Sequence, residues 1–154
     1  MEWTRGPYSI STDKERLDRE AIHRFLAADS YWAREIPREV VDRSIDNSLC
    51  FGVYEGDRLV GFARVVTDFA TFAYLGDVFV LPPHRGRGLS KWLMEVVMGH
   101  PELQGLRRWS LATRDAHGLY ERFGFRIPAH PERLMEISDL EIYRTGARGG
   151  GKRE

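Results

Sequence analysis

Asp77-Val78-Phe79-Val80-Leu81-Pro82-Pro83-His84-Arg85-Gly86-Arg87-Gly88-Leu89-Ser90-Lys91-Trp92-Leu93 is the stretch on which the fold turns. An apolar run, Asp77 to Val80, passes through a Pro-Pro break into a turn with two glycines and two arginines. Leu89, Trp92, Leu93, Val96 and Val97 then recur at helical spacing, so an amphipathic helix is expected to open at the turn. A strand ending in a Gly-rich turn that starts a helix can grip a phosphate. Glycine admits close backbone approach to an anion, and the first-turn amides and the helix dipole favour negative charge there. Arg85, Arg87 and Lys91 add formal positive charge at the same place. The chemistry expected is recognition of a diphosphate-bearing ligand.

Spacing narrows the ligand. A Walker loop needs Gly-x-x-x-x-Gly-Lys-Ser/Thr, which is absent here, and a dinucleotide fingerprint needs a third glycine where Lys91 stands. What fits is Arg-x-x-Gly-x-small, at Arg85, Gly88 and Ser90, directly after a Val-x-Pro strand exit. This resembles the pyrophosphate motif of the GNAT superfamily of acyl-CoA-dependent N-acetyltransferases, with Ser90 where that family usually has Gly or Ala. A second segment, Ala116-His117-Gly118-Leu119-Tyr120-Glu121-Arg122-Phe123-Gly124-Phe125, is similar to the later helix and following strand of the same family. Thr113 stands where the family often has an Asn that contacts pantetheine. The resemblance covers residues 50–126 well and the first third loosely.

The resemblance implies an α/β (α+β) GNAT fold: a mixed, mostly antiparallel twisted sheet flanked by helices, in the order β-α-α-β-β-β-α-β-α-β. It implies acetyl-CoA as co-substrate and no metal. The pyrophosphate would lie on Gly86, Arg87, Gly88, Leu89, Ser90 and Lys91 beside Arg85, with pantetheine against Val78, Phe79 and Val80. Asp115 joins these cofactor contacts. Tyr120 is implied as the acid that protonates the departing thiolate. A phenol (pKa ~10) is a weaker acid than a thiol (~8.5), so its hydrogen bond matters as much as full transfer. Asp77 is a carboxylate on an apolar run, where strand propensity disfavours it. Burial disfavours the charge of a carboxylate, which suits a base that must deprotonate an ammonium. His84, His117 and Asp115 are lesser base candidates, and the structural alternative for Asp77 is a cap beside Gly76. Tyr31 and Trp32 are candidates to wall an acceptor pocket. Arg64, the lone cation on Val60 to Val66, reads either as a substrate carboxylate contact or as half of a cross-strand ion pair.

Composition bounds the rest. The chain has 154 residues, 42% hydrophobic and 30% charged, which suits one domain of ordinary size. Its 23 basic and 23 acidic residues cancel, and a nucleic-acid or membrane partner would need a segregated positive field. No long apolar run or secretory leader is seen, and the single Cys50 suits a reducing cytoplasm. The five histidines show no metal-ligand spacing, and no Gly-x-Ser-x-Gly elbow is present. The expected organisation is a single domain over 1–144 with a flexible tail over 145–154. Strands are expected at Tyr8–Ser11, 49–54, 59–67, 72–80, 106–112, from Phe125 onward and at Leu134–Ile137. A first helix carries Leu17, Ala21, Ile22, Phe25 and Leu26, capped by Thr12 or by Asp18, and a second starts at Pro37. The function expected is transfer of an acetyl group to a small-molecule amine by a cytoplasmic monomer or homodimer. The alternative is a non-catalytic acyl-CoA-binding sensor.

Overall fold

The computed structural model describes residues 1–144, so the expected tail at 145–154 lies outside the described residues. Contacts divide the chain into two compact units.

The first unit, Met1–Leu17 with Ile45–Arg126, holds a six-stranded sheet in sequential order. Its strands are β1 (Glu2–Arg5), β2 (Tyr8–Ser11), β3 (Leu49–Glu55), β4 (Arg58–Thr67), β5 (Phe72–Val80) and β6 (Arg108–Leu111). The first five pair antiparallel, and β6 joins β5 in parallel. The sheet is therefore mixed and mostly antiparallel, as the resemblance implied. β1 was not anticipated, because Glu2, Thr4 and Arg5 give it little apolar pattern; pairing with β2 holds it. Gly56 and Asp57 make the two-residue link between β3 and β4, Gly56 at φ 60. The β4–β5 turn is tied by Asp68, whose carboxylate accepts from the backbone of Ala70, Thr71 and Phe72 and from the Thr71 hydroxyl. These bonds hold its pKa well below the usual carboxylate range.

The turn after β5 feeds helix α3 (Leu89–Met98), whose Leu89, Trp92, Leu93, Met94, Val96 and Val97 are buried against the sheet. Each such aliphatic or aromatic side chain contributes roughly 1.5–3 kcal/mol on burial. Arg5 lies over the Trp92 ring and reaches Glu95. After β6, helix α4 (His117–Glu121) places Tyr120 in the same core. Cys50 is buried, its thiol toward the carbonyls of Ile45 and Ser48.

In the second unit, which holds Asp18–Ser44 and the residues from Ile127 on, α1 (Arg19–Arg24) starts at Asp18, whose side chain accepts from the Ala21 amide. Asp18, not Thr12, is the cap; Asp13 separately caps a short 3-10 turn at Lys14–Arg16. The apolar stripe runs on through a π turn at Phe25–Asp29. The carbonyl of Pro37 accepts from Val40 and Val41, and α2 (Arg38–Asp46) follows. Within this unit Arg19 and Arg38 both reach Asp42, holding its pKa down against the opposing effect of burial.

Two expected strands are not formed among the described residues. Phe125 is fixed by its ring against Trp109 and Tyr120 instead, and Pro128 and Pro131 then remove two donors a ladder would need. Leu134–Ile137 carries no ladder, and its Leu134, Met135 and Ile137 are exposed.

Candidate active site

The site is built around an irregularity in β5. Phe62 pairs with Phe79, but Arg64 pairs with Gly76, so Asp77 and Val78 together oppose Ala63. This is a β-bulge, and Asp77 takes the left-handed conformation within it, at φ 53. Asp is among the residues that tolerate that region, at a cost of roughly 1–2 kcal/mol. The extra residue reverses the alternation toward the core cluster: Ala73 and Leu75 join it before the bulge, Val78 and Val80 after it.

Pairing with β6 stops at Leu75↔Leu111. The second half of β5, Gly76 to Val80, thus has no strand beside it on that side among the described residues. The sheet opens between the two strands, and the opening leads directly to the glycine turn.

In that turn Pro82–His84 forms one 3-10 turn, and Gly86 and Gly88 stand at φ 78 and 75. Gly88 is the N-cap of α3 without a side-chain capping bond. A Cβ built on either glycine meets no protein atom within 4 Å. The glycines are therefore required by backbone conformation and leave the face above them open. Lys91 is exposed on the first turn of α3.

The two arginines have different jobs. Arg85 Nε donates to the Val80 carbonyl at 2.8 Å, locking the turn onto the end of β5. Arg87 Nη1 donates to Tyr8 Oη at 2.6 Å, and Tyr8 Oη in turn contacts His84 Nδ1 at 3.2 Å. His84 also lies 4.0 Å from a Glu55 carboxylate oxygen. Sequence marks Tyr8 only as a strand residue, since a contact 76 or 79 positions away leaves no local signal.

Asp77 is not a lone buried carboxylate. Its Oδ2 accepts from Arg64 Nε at 2.8 Å, and Arg64 Nη1 donates to Ser48 Oγ at 3.1 Å. The side chains of Arg64 and Asp77 are only 19% and 12% exposed. The cross-strand ion pair is thus the arrangement Arg64 adopts. One lone cation and one lone anion on neighbouring apolar runs were the legible signal; Ser48 gave none.

Tyr120 is buried, its ring edge-on to Phe125 at 6.1 Å. Thr113 Oγ accepts from the Ala116 amide and shapes the approach to α4. Asp115 is exposed and paired with Arg114, and His117 is exposed. Tyr31 and Trp32 belong to the second unit, where they stack edge to face at 5.0 Å and are each 40% exposed. Among the described residues there is no cluster of metal-ligating side chains and no helix long and apolar enough to cross a membrane.

This geometry agrees with comparisons to known proteins. Residues 19–125 match the Acetyltransferase (GNAT) family. A GNAT-family protein of Xanthomonas campestris pv. campestris has a solved structure that is 59% identical, with TM-score 0.88, covering 90% of this chain and 97% of that one. A Gibberella zeae protein with an acetyltransferase name is 35% identical over 140 residues, 77% of this chain and 78% of its own. A GNAT acetyltransferase of Elizabethkingia anophelis, solved with acetyl-CoA bound, shares the fold at TM-score 0.60 and 14% identity, over 88% of this chain and 90% of that one. GNAT enzymes use acyl-CoA. With its splayed β5–β6 pair and glycine turn, this chain belongs to the GNAT family and is an acetyltransferase.

Proposed function

We propose that the protein transfers the acetyl group of acetyl-CoA to the primary amine of a small-molecule acceptor, by direct attack with both substrates bound. The observation that carries this is the opening of the sheet at Leu75↔Leu111 above a turn whose two glycines face open space. The opening suits pantetheine, which would bond as an added strand along Val78, Phe79 and Val80. The turn suits the pyrophosphate, held by backbone amides of residues 86–91 and by Lys91. Arg85 and Arg87 serve here by shaping the turn. Asp115 would sit at the cofactor's periphery, since it is exposed. Residues 1–144 would act as one functional domain, in the cytoplasm.

The chemistry follows from these positions. The acceptor ammonium loses its proton to Asp77 or to a water that Asp77 orients. Because Arg64, itself anchored on Ser48, holds that carboxylate, orientation of a water is the role its surroundings favour. The free amine attacks the thioester carbonyl, and an amide N–H at Val78 or Phe79 stabilises the oxyanion. Collapse breaks the C–S bond as the attacking nitrogen sheds its remaining excess proton to water, and Tyr120 donates a proton to the CoA thiolate and regains one from water. No covalent enzyme intermediate is needed, because binding both substrates supplies the proximity. Tyr31 and Trp32 remain the proposed aromatic contacts for the acceptor.

Two measurements test this. Acetyl-CoA at ~100 times its dissociation constant should stabilise the fold by about 2.7 kcal/mol. CoA-thiol release should then appear with at least one class in a panel of amines. No thermal shift at millimolar acetyl-CoA would overturn the cofactor assignment.

A further inference from the structure

The backbone amides from Gly86 to Lys91 donate to no protein acceptor among the described residues. The next amide, that of Trp92, is the first to be bonded, to the Gly88 carbonyl. With glycines at φ 78 and 75 in its middle, the turn has little in its own backbone to hold it. Its amides can converge on one anion without delay only if groups outside the turn fix them.

Two side chains run from the turn to fixed points on the sheet. Arg85 Nε reaches back to the Val80 carbonyl, on the strand just left. Arg87 Nη1 instead crosses to Tyr8 Oη at 2.6 Å, on a strand 79 positions earlier. Arg87 is exposed, and its guanidinium has no other polar partner among the described residues. Where that side chain rests is therefore set by Tyr8.

Tyr8 is a firm anchor. It is buried, pairs with Arg5 on β1 and Glu55 on β3, and belongs to the core cluster. Its hydroxyl is oriented as well as its ring. His84 Nδ1 lies 3.2 Å away and accepts the phenolic hydrogen when the imidazole is protonated on Nε2, which leaves the Oη lone pairs to Arg87. The tyrosine ring also stands edge-on to that imidazole at 6.0 Å. One hydroxyl thus joins His84 and Arg87 across the first of the two glycines.

We propose that Tyr8 is a positioning residue for acyl-CoA: through Arg87 its hydroxyl clips the glycine turn, so that the amides of Gly86 to Lys91 are set for the pyrophosphate before it arrives. This rests on the acetyl-CoA reading above. The entropy of ordering two glycines and one long arginine is then lost when the chain folds rather than when the cofactor binds, which raises affinity without an added contact. Tyr8 acts through Arg87 and not on the reacting atoms, so the clip governs cofactor binding and leaves the chemical step alone.

Calorimetric titration with acetyl-CoA tests this. Tyr8→Phe keeps the ring in the core and its edge against His84, and deletes only the hydroxyl. The dissociation constant should rise about tenfold over that of the unaltered chain, while kcat at saturating acetyl-CoA stays the same. Arg87→Met, a surface change that leaves the core intact, should show a loss at least as large. The deciding arm is the double variant: with Arg87 already replaced, Tyr8→Phe should weaken binding by less than about twofold more. Amide relaxation measured by NMR on the free protein should show Gly86 to Gly88 more mobile in either single variant. Equal affinity in Tyr8→Phe and the unaltered chain would overturn the clip and leave the acetyl-CoA reading standing. An undiminished loss from Tyr8→Phe in the Arg87→Met background would overturn it too. If the unaltered chain bound no acetyl-CoA, the reading beneath the clip would fall, and the clip's role with it.

Discussion

Gly88 and Tyr120 make different demands of a single position. At φ 75 with open space where a Cβ would point, Gly88 is there for its backbone and for what lies above it. Gly88→Val should cost roughly 1–2 kcal/mol from the left-handed conformation. Loss of amide–phosphate contact should weaken acetyl-CoA binding about tenfold to a hundredfold, which calorimetric titration of the folded variant reads. Normal binding by the folded variant would remove the phosphate from this turn. Tyr120 is the opposite case, a ring packed in the core with one polar atom to offer. Tyr120→Phe keeps the ring against Phe125 and deletes the hydroxyl. Turnover should fall by roughly 10²–10⁴ with acetyl-CoA affinity nearly unchanged, the loss shrinking for a thioester of a more acidic thiol. Full activity with chemistry rate-limiting would assign the proton to water.

At the scale of the element, β5 performs two tasks on either side of its bulge. Before it, Phe72 to Leu75 hold β6; after it, the strand faces an opening and ends in the glycine turn. Asp77 is the hinge between the two, held by Arg64, whose guanidinium also donates to Ser48. Asp77→Asn separates its structural role from its chemical one, because Asn tolerates the left-handed region equally well but carries no charge. The fold and acetyl-CoA binding should persist, while turnover should drop about tenfold or more and its pH profile should change shape. An unaltered profile would leave Asp77 as a device of the bulge alone. The arrangement was half legible beforehand. A charge inside each of two apolar runs pointed to pairing, but the one-residue shift of register that brings Arg64 opposite Gly76 has no local signature.

The whole molecule carries a pH dependence through His100. It is buried beside Trp3 and Phe51, and its Nδ1 accepts from the Glu102 amide, which caps the turn at Pro101–Leu103. Burial pushes its pKa below the ordinary histidine value, outweighing the opposite pull of Glu102, and the N-terminal charge acts in the same direction as burial. The unfolded chain therefore binds the proton more readily. The stabilising contribution is present above the unfolded pKa of ~6.5 and is lost as pH falls below it. His100→Gln should flatten the fall in melting temperature between neutral and mildly acidic pH; an unchanged slope would assign it to other groups. Across the molecule, the chain order of charges, glycines and apolar periods determined the α3 helix, the turn before it and the β3–β4 hairpin. Each is set by contacts among near neighbours, which periodicity and turn chemistry record. Only the tertiary structure decided that β1 forms, that Tyr8 holds Arg87 and His84, that β5 bulges at Asp77, and that no strand forms at Leu134–Ile137. These depend on which groups meet across tens of residues, which no local pattern of the sequence records.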